Sequence, residues 1–123
     1  MIDFILPMKP MPKARPRVTR WSTYMPPTYV AYKAEGVRHV HEQWDGVPID
    51  GILALRIVYT CKTCRGDADN CAGTIMDLLQ EAGVYANDRA VRKLSVRVIE
   101  DPACKSPSIA VRVSLWTPSY TDV

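Results

Sequence analysis

The sequence predicts an α+β fold: a mixed four-stranded sheet with two helices on one face, in the order β-α-β-α-β-β. Three observations predict it. Ala72, Ile75, Met76, Leu79 and Ala82 recur at helical spacing, so that segment buries one face. Ile52 to Thr60, ILALRIVYT, is apolar on both faces and reads as a central strand. Two late stretches alternate with a period of two: Leu94, Val96, Val98, and then Ile109, Val111, Val113, Leu115.

In chain order, Ile2, Phe4 and Leu6 alternate with Asp3 and Ile5 as a first strand. Pro7, Pro10 and Pro12 then hold the backbone extended. Residues 9–27 form an extended basic arm in which Lys13, Arg15 and Arg17 alternate and share a face. Trp21, Tyr24 and Tyr29 lie beside that strip, available for base stacking or for packing on the first helix. Thr28 suits the cap of a helix to about Trp44, with Tyr29, Lys33, Val37, Val40 and Trp44 on its apolar stripe. Gly46 and Pro48 end it. The central strand leads through a loop, 61–66, into the central helix, which Gly83 closes. The last two strands, joined by a loop from Asp101 to Pro107, read as an antiparallel hairpin. Residues 118–123 read as a loose tail.

The 123 residues fit one domain, 1–123, and a hydrophobic fraction of 47% supports a real core. No apolar run reaches the roughly 18 residues that span a bilayer. The N-terminus has no basic region or cleavage pattern of a signal peptide, so a cytoplasmic protein with no membrane association is expected. The net charge of +3 is modest, yet Lys9 to Arg20 holds five basic residues and no acid. Such a strip either contacts phosphates or is a solvated loop.

Cys61 and Cys64 form a C-x-x-C, with Cys71 and Cys104 elsewhere. No helix starts at the motif, which argues against thioredoxin-like chemistry, and a zinc site would lack a second paired spacing. Four reduced, mostly buried thiols are expected. His39 and His41 are two apart on a helix and face different ways, so they cannot chelate together; both are expected at the surface, within reach of DNA.

The chemistry-bearing stretch is GDADNCAGTIMDLLQEAGVYAND, 66–88. Asp67 and Asp69 enter the central helix on extended backbone, which points both to one side. Asp88 follows the helix and can return to the sheet. Converging carboxylates stay ionised together only with a cation or another positive group between them, and oxygen-only ligands select a hard ion, magnesium or manganese. The ordinary roles are equally at hand: a turn residue, a helix cap and a solvated loop acid.

This segment resembles the RusA family of Holliday junction resolvases, especially its phage and prophage branch. The resemblance rests on Asp67-Ala68-Asp69-Asn70, then Asp77-Leu78-Leu79, Ala82-Gly83-Val84-Tyr85 and Asn87-Asp88. A second block, Lys13-Ala14-Arg15-Pro16-Arg17 followed by Tyr24, Pro26, Pro27 and Tyr32, agrees in order with the family. Two positions depart from it. Gly73 stands where the family has a lysine, four residues after the second aspartate, and Asn87 replaces the first of an acidic pair. Lys62, Arg65 and Lys93 are the candidates for the missing charge.

The resemblance implies a homodimeric, magnesium-dependent endonuclease that nicks four-way DNA junctions in recombination and repair, encoded by a phage or prophage and acting in the bacterial cytoplasm. It needs no small-molecule cofactor. Asp67, Asp69 and Asp88 would be catalytic and hold the metal. Lys13, Arg15, Arg17, Arg20 and Lys33 would bind the DNA backbone. Asn70, Asn87 and Lys93 would support the site, Asn70 by orienting an aspartate or capping the helix, and Asp77 would bond to Arg89 or Arg92. Gly73 and Asn87 motivate the alternative, a branched-DNA-binding protein with weak or no cleavage. A small zinc module built on the cysteines is a third reading.

Overall fold

The computed structural model describes residues 1–118, so all but Pro118 of the expected tail lies outside the described residues. The main sheet holds β1 (Ile2–Leu6), β4 (Leu53–Cys61), β5 (Val91–Glu100) and β6 (Ser108–Leu115), ordered β1-β6-β4-β5. A small ribbon pairs β2 (Arg17–Val18) with β3 (Thr23–Tyr24). The helices are α1 (Pro27–Gln43) and α2 (Ala68–Ala82). The α+β class and the main element order are as the sequence predicts.

The core forms between the helices and one sheet face. Along β4, Leu53, Leu55, Ile57, Tyr59 and Cys61 all point into it. The opposite face is not closed: Arg56 is exposed there, and Arg112 Nε donates to Asp3 Oδ1 at 2.8 Å. Helix α1 starts one residue before the expected cap, with Pro27 at its first position, where a fixed φ and a missing N–H cost nothing. Its buried residues are Tyr29, Lys33, Gly36 and Val40. Gly36 is bare where α2 crosses: an added Cβ would sit 2.9 Å from Leu78 Cδ2. Helix α2 ends at Gly83 with φ of 87°, whose N–H donates to Gln80 O at 3.0 Å.

The last two strands are not a hairpin. β5 runs parallel to β4 on its outer side, and β6 runs antiparallel between β4 and β1. Alternation identifies a strand but not its neighbour, and burial shows what decides the placement. Ile109, Val111 and Val113 are fully enclosed, as an interior strand requires, whereas Leu94 and Val98 stay 44% and 40% exposed on the edge. The 101–107 loop carries the chain past the end of β4, anchored by Asp101 N–H to Cys61 O at 2.9 Å. Thus β4, α2 and β5 form a parallel crossover unit.

Candidate functional site

Beyond the end of β4, Gly66 adopts φ of 85° and turns the chain into Asp67, the extended residue that precedes α2. Asp67 makes no side-chain cap bond; its carbonyl accepts from Cys71 N–H at 3.0 Å. Asp69 Oδ1 accepts from Asn70 N–H at 2.9 Å. Both carboxylates are exposed at the positive end of the helix dipole. Burial pushes the nearby Cys71 thiol pKa up, and the charges of Asp67 and then Asp69 push it further, so both carboxylates act on the same sulfur.

The root of the basic arm is docked on this turn through three successive residues. Thr74 Oγ1 donates to Met11 O at 2.7 Å, and Lys13 N–H donates to Asn70 O at 3.0 Å. Between them Pro12 covers Gly66, where an added Cβ would meet its Cγ at 2.6 Å. Gly73 then has a physical reason that helical propensity does not supply: the stem of Lys13 crosses it, with Cδ 3.1 Å from where a Cβ would be. Asn70 serves this docking through its backbone carbonyl.

Lys9, Lys62, Arg65 and Lys105 line an open cleft of about 730 Å³ beside the aspartate turn, together with Pro10, Thr63, Cys61, Cys104 and Pro107. Among the described residues, none of these four cations has an ion-pair partner. The cleft escapes sequence reading because its charges come from three separate segments. Arg15, Arg17 and Arg20 are exposed along the arm and the β2–β3 ribbon. Thr19 and Ser22 close that ribbon, and Trp21 at its tip is 86% exposed, with the Arg20 guanidinium 5.2 Å from its ring.

Other expected residues lie elsewhere. Lys33, on α1, does not face out to contact DNA: it is 7% exposed, and its Nζ donates to Asp77 Oδ2 at 3.0 Å and Glu81 Oε1 at 2.7 Å. Asp77 therefore bonds to Lys33 and to the Tyr29 hydroxyl, not to Arg89 or Arg92. Tyr29 is buried and is no stacking platform. His41 is exposed, as expected, with its Nε2 2.9 Å from Ala82 O, whereas His39 is half-buried between Glu35 and Glu42. Cys61 and Cys64 are joined as a disulfide rather than left as thiols, while Cys71 and Cys104 are free.

Asp88 does return to the sheet, but at its other end. Its N–H donates to Gln80 Oε1 at 2.9 Å, it opens a single 3-10 turn, Asp88–Ala90, and β5 begins opposite Leu53. Gln80 is eleven residues beyond Asp69, roughly 16 Å along the helix. The crossover dictates this, since β4 ends near Asp67 while β5 starts where β4 starts. Asn87 Oδ1 caps the turn by accepting from Arg89 N–H at 2.9 Å. Lys93 lies on β5 with its Nζ 5.9 Å from the centre of the Trp116 ring. Of the three candidate charges, Lys62 and Arg65 therefore flank the Asp67–Asp69 turn and Lys93 belongs to the far end.

Among the described residues, no three acids, histidines or cysteines group together to hold a metal. That leaves no zinc cluster among them. Asp67 and Asp69 nonetheless suit magnesium, which needs only one or two carboxylates when waters and substrate phosphates complete its shell. Their exposure leaves room for both.

The family model described as Endodeoxyribonuclease RusA matches residues 7–114. No curated protein matches the chain.

Proposed function

The chain belongs to the RusA endodeoxyribonuclease family, and from that premise we propose that it resolves four-way DNA junctions by paired symmetric nicks in magnesium. One observation carries the reading. The basic arm is bonded to the turn that bears Asp67 and Asp69, through Lys13 N–H and Asn70 O at 3.0 Å. A phosphate strip and a hard-cation site therefore form one rigid unit.

Asp67 and Asp69 would hold the ion, which supplies a water activated near neutral pH and charge neutralisation at the phosphate. Arg15, Arg17 and Arg20 track one stretch of backbone, and Lys9, Lys62, Arg65 and Lys105 take another. These are sequence-independent contacts, so branch geometry governs binding. Trp21 offers a stacking surface for a splayed base. Paired nicks need two sites, and a two-fold dimer matches the approximate symmetry of a junction. In such a dimer Asp88 of a second copy would be the one to complete the Asp67–Asp69 turn, since each chain holds its own Asp88 at the other end of β4.

The test is a labelled immobile four-way junction beside a matched linear duplex, each in magnesium and in calcium, with Asp69→Asn alongside. Paired nicks in magnesium on the junction alone, lost in the mutant, are expected. The separation of Asp88 within the chain favours a second reading, a branched-DNA-binding protein with little cleavage. Tight binding in both metals without nicks would establish it.

A further inference from the structure

We propose that Lys13 acts at the reacting phosphate, its ammonium carried over the bare backbone of Gly73 toward Asp67 and Asp69, and is not merely one more contact of the basic arm. This rests on the nuclease reading above. Position 73 lies four residues after Asp69, one turn on and on the same helix face. A Cβ there would stand 3.1 Å from Lys13 Cδ, 3.4 Å from its Cβ and 3.8 Å from its Cγ. The whole stem therefore runs across Gly73, in the second turn of the acid-bearing helix. The ammonium is two bonds past Cδ, and Gly73 is one helical turn from Asp69, so the start of α2 is within its reach.

The root of this lysine is fixed in a way that other arm residues are not. Its own N–H bonds to Asn70 O, and the two residues before it are held by Gly66 and Thr74. Among the described residues, its ammonium has no ion-pair partner. A cation whose stem is pinned and whose charge is unpaired is preorganised for an anion that arrives later. The simpler account, a lysine stem covering helix backbone while its head stays in water, explains the packing. It does not explain why three consecutive residues are fastened to this one turn.

Hydrolysis forms a phosphorus–oxygen bond from water and breaks the bond to the 3′ oxygen, which receives the water's proton. Lys13 keeps its proton throughout. It offsets charge on the non-bridging oxygens, which one well-placed donor does by about 100-fold in rate.

The experiment measures single-turnover nicking at saturating protein in magnesium, and junction Kd in calcium, for wild type, Lys13→Met and Arg17→Met. The expected result is a fall of about 100-fold in the saturated rate for Lys13→Met. Its Kd should weaken no more than that of Arg17→Met, the comparator for a plain backbone contact. A second pair is Lys13→Ala alone and Lys13→Ala with Gly73→Lys, where the alanine clears the space. The relocated ammonium should restore at least about tenfold of the rate, which a purely structural lysine would not allow. An unchanged saturated rate in Lys13→Met, with only Kd altered, overturns the proposal and leaves the nuclease reading intact. A wild type that binds but never nicks overturns both.

Discussion

Lys33 Nζ lies 3.0 Å from Asp77 Oδ2, and this pair, with Glu81 at 2.7 Å, ties α1 to α2 beneath the arm. Burial alone would lower the Lys33 pKa. Hydrogen bonds to Glu81 and Asp77 outweigh it, and the net shift is upward. The bridge therefore stabilises the fold fully below the ordinary lysine value of 10.5, and the gain is lost as pH rises through the higher folded value. Lys33→Met strands a half-buried carboxylate and should cost about 1–3 kcal/mol in urea unfolding. Junction affinity per folded molecule should not change. A weakened salt dependence in the folded mutant would return Lys33 to the DNA surface.

Gly36 is another point where the two helices meet. A Cβ there would press on Leu78 Cδ2 at 2.9 Å, and Leu78 is fully buried. Gly36→Ala gains helix propensity of about 1 kcal/mol but overpacks a closed core at about 1–3 kcal/mol. The expected balance is a lower Tm. A Tm equal to or above wild type would mean that Leu78 has a free rotamer to retreat into.

The cleft of Lys9, Lys62, Arg65 and Lys105 should appear in ion release. Each phosphate contact contributes about 0.9 to the slope of log affinity against log salt. Lys62→Ser with Arg65→Ser should lower that slope by about two, equally on different junction sequences. A loss confined to one sequence would mean base readout instead.

Much of the fold was legible because it rests on periodicity. Ala72, Ile75 and Leu79 mark α2, and alternation marks β5 and β6. Pairing was not legible, because period-two patterns are the same beside any neighbour. Only enclosure distinguishes Val111 inside the sheet from Val98 at its edge. At the site, Asp67 and Asp69 read as a pair on extended backbone, but only Asp67 is extended: α2 begins at Ala68, so Asp69 lies in its first turn. Asp88 could not be placed, since its position depends on which end of β4 the crossover reaches. Lys33 read as basic surface because its acidic partners are 44 and 48 residues away. Gly73 was opaque for the same reason: the side chain that needs the space is Lys13.

The position of Asp88 leads to a prediction about assembly. If each site takes Asp67 and Asp69 from one chain and Asp88 from the other, Asp69→Asn and Asp88→Asn homodimers are both inactive. Their heterodimer is not. One of its sites carries both substitutions and the other carries neither. After random exchange half the dimers are mixed, so about a quarter of all sites are intact. Mixing the two inactive mutants, with time to exchange subunits, should restore nicking to about that level, mostly as single nicks, since each mixed dimer holds one working site. If all three aspartates act within one chain, every chain in the mixture is defective and no activity returns. The same mixture with Asp67→Asn and Asp69→Asn is the control. Those two residues share a turn, so every site in that mixture loses one of them or the other, and it should stay inactive under either arrangement.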